Sequence, residues 1–206
     1  EAPARPGTPW ERRTELGLVP AFIATVRESV VDPVKFYESM PARNADGAIS
    51  YFWLTVAFGS LVAGVWKAAA ALAGYGTDSL RTLKLPQGQE NPFQHFEPAD
   101  FAALNAGSAI GSVLLAPVFL FVMVAVVHVC SLVFGAGGRG FNATLRAFGY
   151  AAAPLMLQAI PLCGDFLAFV GIVWFAVLAI IGVWKLQATE PWRAAASVLA
   201  PFGMAP

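Results

Sequence analysis

Apolar residues in this chain fall into long blocks separated by short polar connections, and the block lengths predict helices that cross a membrane. A spanning helix needs about 20 mainly apolar residues, at about 1.5 Å of rise each, to cross a hydrocarbon core of about 30 Å. Residues 49–73 meet this, interrupted only by Lys67, with Trp53 and Trp66 placed as interfacial aromatics. Residues 109–134 and 166–184 meet it too, the latter closed by Lys185. Residues 146–163 form a weaker block, carrying Tyr150, Pro154 and Gln158 and followed by Asp165, so this span is expected to lie mostly against protein. A fifth block, 194–206, would reach only about 20 Å as a helix and reads as the start of a fifth span or a half-inserted end. The fold class expected is therefore all-α: a polytopic transmembrane helical bundle with four to five spans over 49–206.

Residues 1–48 form a separate N-terminal segment, too short and Pro-punctuated for a folded domain. Within it Val19, Phe22, Ile23, Val26 and Val30 recur at helical spacing with Arg27 and Glu28 between them, which predicts an amphipathic helix. The proximity of the first span favours a place at the membrane interface over packing beneath the bundle. Asp32-Pro33 ends it, because the residue before proline avoids the helical region. The connection 75–106, with Phe93, Phe96 and Phe101 among Pro86, Pro92 and Pro98, reads equally as a cap on the bundle mouth or as an ordinary loop.

Charge sets the orientation. Arg5, Arg12, Arg13, Arg27, Lys35, Arg43, Arg139, Arg146, Lys185 and Arg193, ten of the 13 basic residues, fall on one side of the expected topology. The positive-inside rule makes that side, with the N-terminus, cytoplasmic. Gly-Val-Trp-Lys occurs twice, at 64–67 and 182–185, on opposite faces; with no wider self-similarity it reads as two anchored helix ends, not an inverted repeat.

Composition narrows the function classes. At 57% hydrophobic and 13% charged residues the chain has more apolar surface than a soluble domain of this size buries, and zero formal net charge offers nothing to nucleic acid. Cys130 and Cys163 lack metal or redox spacing and read as packing residues, and nothing calls for a cofactor or a metal. No protease, hydrolase or paired-aspartate constellation is present, so an enzyme is not expected. The glycine-rich stretch 135–141 lacks the Gly-Lys-Ser/Thr ending of a phosphate loop and suits a tight turn.

The candidate chemistry is a set of polar residues at membrane depth. His128 lies about six residues inside the second span, roughly 9 Å deep, where a titratable group needs a neighbour. The antiparallel third span puts Tyr150 at matching depth with Arg146 a turn below, which predicts a His128–Tyr150 hydrogen bond in a cluster completed by Gln158. Such a cluster suits proton relay or an anionic head group, but more often fixes helix packing, at about 1 kcal/mol or less per bond. Pro117 and Pro154 kink their spans. Gly107/Gly111 and Gly59/Ala63 fit helix contacts within the bundle or between copies, as in a homo-oligomer.

His128, Gly137-Gly138-Arg139-Gly140-Phe141, Thr144, Gly149-Tyr150 with Pro154, Ile160-Pro161 and Trp192-Arg193-Ala194, with Asp32-Pro33 and Phe36 ahead of the first span, resemble in order and spacing the Yip family (Ypt/Rab-interacting proteins), bacterial branch. The resemblance implies five spans and a cytoplasmic N-terminus. In eukaryotic members it implies binding of small GTPases in the early secretory pathway. The Asp-Leu-Tyr-Gly-Pro motif of that branch is replaced here by Asp32-Pro33, so GTPase binding is not carried over. Pro9-Trp10-Glu11 resembles bacterial members in which a zinc ribbon precedes this point, but no ligand cysteines stand here.

The expectation is a non-enzymatic protein of the bacterial inner membrane that organises membrane or recruits a cytoplasmic or membrane protein partner. Phe22, Arg27, Lys35 and Arg139 are the expected partner or lipid surface. The alternative is a transporter, channel or lipid-handling protein built around His128 and Tyr150.

Overall fold

The computed structural model describes residues 7–41, 44–83, 90–161 and 163–203. Arg5, Arg43, Lys84, Pro86 and the last three residues of the fifth block lie outside them. A 3-10 turn, Pro9–Arg12, leads into α1 (Arg13–Leu16), α2 (Leu18–Val31) and α3 (Pro33–Glu38). There follow α4 (Asp46–Leu72), α5 (Thr77–Arg81), α6 (Pro98–Val133), α7 (Phe141–Tyr150), a 3-10 segment (Ala153–Ala159), α8 (Gly164–Gln187) and α9 (Pro191–Gly203). All regular structure among the described residues is helical.

Three of these helices, α4, α6 and α8, are long and apolar enough to cross a membrane. The third expected span is instead a broken segment, α7 plus the 3-10 stretch. Proline explains the break: Pro154 has no N–H to give to the Tyr150 carbonyl, and its ring clashes with that position. The 3-10 stretch starts at Ala153, with this proline in its first turn.

Contacts fix the directions of the helices. Gly64 of α4 faces Ala109 of α6, and Ala71 packs with Phe101 and Ala102, so the two run antiparallel. Lys67 pairs with Asp165 at the start of α8, while Lys185 near its end pairs with Glu38 just ahead of α4, so α8 is antiparallel to α4 as well. Helices α6 and α8 therefore point the same way, and the chain between them must recross the bundle. The broken segment makes that return, from Gly149 beside Ala48 to Gln158 beside Gly164.

Close packing encloses this return. Every residue from Ala143 to Pro154 is buried, so the first half of the block 146–163 lies against protein as expected, whereas 155–159 are half-buried and Ile160, Pro161 and Cys163 are exposed. A Cβ at Gly149 would stand 2.7 Å from the Ala48 carbonyl oxygen, and one at Gly182 would stand 2.8 Å from the Ala147 Cβ. The glycines thus let α7 touch α4 on one side and α8 on the other. Gly59 of the Gly59/Ala63 pair packs against the Leu155 carbonyl, an intra-bundle contact, whereas nothing lies within 4 Å of a Cβ at Gly107 or Gly111.

The two ends of the bundle differ in charge. Arg12, Arg13, Arg27, Lys35, Arg139, Arg146, Lys185 and Arg193 gather where α4 begins and α6 and α8 end. Lys67 and Arg81 are the described basic residues at the far end. The two Gly-Val-Trp-Lys copies end at opposite ends, each with its lysine over the preceding indole, at 5.6 Å for Lys67–Trp66 and 3.8 Å for Lys185–Trp184. They are helix anchors. At the far end Phe93, Phe96 and Phe101 cluster on Ala68 and Ala71, so this part of the 75–106 connection is a small cap on the end of α4.

Helix α2 forms where the periodicity places it, but it packs on the N-terminal turn and the Ala153–Ala159 segment by a different face. Its buried stripe is Ala21, Thr25 and Ser29, small enough for close approach, flanked by half-buried Phe22, Val26 and Val30. Leu18, Val19, Ile23 and Val31 remain exposed. The 13-residue α9 packs on α6 and α8 through Ala194, Ser197 and Val198.

Gly149→Ala is expected to lower the unfolding midpoint in detergent by the equivalent of about 1–3 kcal/mol of overpacking. That outweighs its gain of about 1 kcal/mol in helix propensity; an unchanged midpoint would deny the close α4–α7 contact. Cys163 is exposed at the far end and Cys130 is buried. A membrane-impermeant maleimide should therefore label Cys163 from outside intact cells, and labelling confined to inverted vesicles would reverse the orientation.

Candidate functional site

Polar side chains at the charged end form two networks rather than the one cluster that the sequence suggests. In the first, His128 Nδ1 lies 3.0 Å from Thr144 Oγ1, and the ring meets Phe141 edge-on at 5.6 Å. Gln187 of α8 is clamped with its Oε1 taking the Arg139 N–H at 2.8 Å and its Nε2 donating to the Gly140 carbonyl at 2.8 Å. That backbone donor and acceptor fix the amide orientation, and Nε2 also donates to Thr144 Oγ1 at 2.9 Å. The Thr144 hydroxyl proton is then free for Nδ1, which suits the Nε2-protonated imidazole. The Arg139 guanidinium donates to the Leu186 carbonyl at 3.3 Å.

The expected His128–Tyr150 bond is therefore replaced by His128–Thr144. The reason is register: α7 begins at Phe141, so Thr144 faces α6 while Tyr150, almost two turns on, is carried up between α4 and the N-terminal segment. Arg139 belongs to the clamp as much as to the surface.

The second network holds Arg146, whose side chain is 1% exposed. Its Nη1 pairs with Glu11 Oε1 at 2.6 Å and donates to the Asn44 carbonyl, and its guanidinium sits 5.6 Å from the Tyr150 ring centre. Glu11 is itself oriented by a capping box: Oε2 takes the Thr8 N–H at 2.9 Å, and Thr8 Oγ1 takes the Glu11 N–H at 3.2 Å. Thr8 Oγ1 also donates to the Tyr150 hydroxyl at 3.0 Å. Arg146 Nε and Nη2 have no partner among the described residues, so Glu11 is the main compensation for a charge removed from water.

Aromatic rings surround this ion pair. Trp10 packs edge-on against Phe22 and Tyr51, Tyr51 lies 5.4 Å from Tyr150, and Phe36 meets Tyr150 edge-on. The Trp10 backbone N–H donates to Thr25 and its indole N–H to Ser50, which ties the N-terminal segment to α2 and α4. Tyr37 donates to the Ala147 carbonyl at 3.0 Å. Burial, ahead of the neighbouring tyrosines, pushes its phenol well above the ordinary range and keeps it a neutral donor.

The expected partner surface divides. Phe22 is drawn into the aromatic cluster and does not face outward as expected. Arg27 and Lys35 do face outward, and with Arg12 they line a groove of about 870 Å³ whose apolar walls include Val19, Ile23 and Val31, with Glu28 and Asp32 also present. Gln158 joins neither network; it stands beside Gly59 and Gly164, in the far half of the bundle. Among the described residues no three of His, Cys, Asp and Glu are grouped to hold a metal.

Glu11 and Thr144 enter the sequence reading only through the family resemblance, with no part in the site, and Gln187 does not enter it at all. Glu11 left one signal, Thr8-Pro9-Trp10-Glu11, the Thr-x-x-Glu spacing of a capping box. Gln187 left none, and nothing in the sequence joins it to Thr144, since their meeting depends on how α7 and α8 cross.

A family model described as the Yip1 domain matches residues 27–205. No curated protein and no solved structure matches the chain.

Glu11→Ala is expected to destabilise by about 3–5 kcal/mol, because it strands a buried guanidinium, and to speed trypsin cleavage at Arg12 and Arg13. Added to Arg146→Met it should cost far less. Additive effects in that double-mutant cycle would show that the pair is not coupled.

Proposed function

The chain belongs to the Yip1 domain family, and on that premise we propose that it is a non-enzymatic adaptor of the bacterial inner membrane that recruits a protein partner at its charged, cytoplasmic end. It is a multi-pass membrane protein, with three helices that meet the requirements of a span. The observation that carries the adaptor reading is the groove along α2 and α3. Val19, Ile23 and Val31 are 62%, 60% and 75% exposed there, beside Arg12, Arg27 and Lys35. Exposed apolar walls beside three basic side chains, against the two acidic ones of Glu28 and Asp32, fit an amphipathic segment with a modest excess of acidic residues.

Two further features support it. The Trp10, Glu11–Arg146 and Tyr37 contacts lock α1–α3 onto the bundle, so the groove is held in place before a partner arrives. The His128 network ends on backbone groups of Arg139 and Gly140, which suits a packing clamp better than a proton path.

A photoreactive amino acid at Ile23 or Lys35 is expected to cross-link a distinct protein in native membranes, while one at Tyr75, exposed at the far end, does not. Arg27→Glu with Lys35→Glu should abolish that product without changing the trypsin pattern of the N-terminal segment. Capture of lipids alone from Ile23 and Lys35 would remove the ground for an adaptor.

A further inference from the structure

A second groove, about 590 Å³ in volume, opens sideways in the far half of the bundle, where α4, α6, α8 and the 3-10 segment meet. One wall is a stripe of small residues on α6, Ser108, Gly111 and Ser112, continued by Gly107. Among the described residues nothing lies within 4 Å of a Cβ at Gly107 or Gly111, so no contact inside the bundle accounts for either glycine. Glycine weakens a helix, and in membrane helices small residues gather where another helix comes close.

The facing walls carry polar groups without partners. Ser60 of α4 is only 8% exposed, lines the groove, and its hydroxyl makes no hydrogen bond among the described residues. The Gln158 amide, also in the lining, makes none either, and its Nε2 would stand 3.0 Å from a Cβ on Gly59. Ser108 and Ser112 differ. Their hydroxyls donate to the carbonyls of Asn105 and Ser108, which leaves each oxygen able to accept. The groove thus has open donors on one side and open acceptors on the other, and within one copy they do not meet.

Depth decides what brings them together. Lys67, Trp66 and Asp165 mark the far rim, and Gly59, two turns below Lys67, puts the amide about 12 Å beneath it, near the middle of the bilayer. Acyl chains have no acceptor to give at that level, and no bulk water replaces the missing bond. Gly64 faces Ala109 across the antiparallel pair. Counted down from that contact, Ser60 is about 6 Å lower on α4 and Ser112 about 4.5 Å lower on α6, so Ser112 stands within about 3 Å of the depth of both open donors.

We propose that this face is the interface of a homodimer, in which α6 of a second copy covers the groove. The charge bias gives every copy the same orientation, so a two-fold axis relating two copies runs along the membrane normal and keeps each residue at its own depth. The Ser108, Gly111 and Ser112 stripe then meets itself, and the glycines let the two α6 backbones approach closely. Ser112 of the second copy arrives at the depth where Gln158 and Ser60 lack an acceptor. Below Gly111 the larger Leu115 and Phe119 hold the helices apart, which confines close contact to the far half. A helix of another protein would need both a small face and an acceptor at that depth; a second copy presents both by symmetry. The interface is independent of partner recruitment at the opposite end.

The test uses the full chain. In Ser108→Cys, with Cys130 and Cys163 left in place, oxidation of native membranes is expected to join residue 108 of two chains in a disulfide identified by mass spectrometry. Ile110→Cys, exposed but turned by about 200° from Ser108 and away from the groove, should give none. In phosphatidylcholine vesicles holding no other protein, energy transfer between copies labelled through an N-terminal tag should report a dimer that Gly111→Leu abolishes. Gln158→Leu should weaken it about tenfold, about threefold for each of the two symmetric bonds. Gly111→Leu places its side chain where nothing lies within 4 Å, so the fold tolerates it and buried Cys130 should stay closed to maleimide. A monomer in those vesicles, a dimer that Gly111→Leu leaves intact, or equal cross-linking at 108 and 110 would overturn the proposal. Because the vesicles hold no other protein, such a failure leaves the adaptor reading of the charged end standing.

Discussion

The parallel course of α6 and α8 is the constraint on which the rest of the structure depends. Two helices that point the same way oblige the chain between them to recross, and Pro154 prevents that return from being one regular helix. Irregular backbone at membrane depth is tolerated only where protein encloses it. The return is therefore sandwiched between α4 and α8, with Gly149 and Gly182 removing the side chains that would hold the helices apart.

Enclosure explains the polar end. Placing α7 in the middle of the bundle buries Arg146, and a buried guanidinium needs an anion. Glu11 supplies it from a 3-10 turn outside the residues matched by the family model, so the N-terminal segment is part of the fold and not an appendage. The same docking uses the small face of α2 for packing and turns Val19, Ile23 and Val31 outward. On the other side of α7, Thr144 and Gln187 take His128 into a clamp that holds α6, α7 and α8 together.

The two grooves follow from this arrangement in different ways. At the charged end, Arg12, α2 and α3 bring Arg27 and Lys35, with Glu28 and Asp32, beside the apolar walls of Val19, Ile23 and Val31. In the far half, the tightly wound 3-10 segment leaves α4, α6 and α8 incompletely filled and turns the Gln158 amide toward the gap.

Hydrophobic block length and charge bias determined, from the sequence alone, the all-helical membrane fold, the spans at α4, α6 and α8 and the collection of basic residues at one end. These are one-dimensional properties, since a bilayer tests each helix for length and polarity before it tests any contact. The first half of the weak block 146–163 was legible as protein-enclosed because its polar residues could not face lipid, while the second half is only partly covered. Its break was signalled by Pro154, yet only the structure showed that the helix ends there. Which polar groups meet was decided by tertiary structure. His128 bonds Thr144 and not Tyr150, Arg146 pairs with Glu11, Phe22 turns inward and Gln158 stands apart. Each outcome depends on helix register and crossing, where a shift of one residue rotates a side chain by about 100° around its axis, and no pattern along the chain carries that angle.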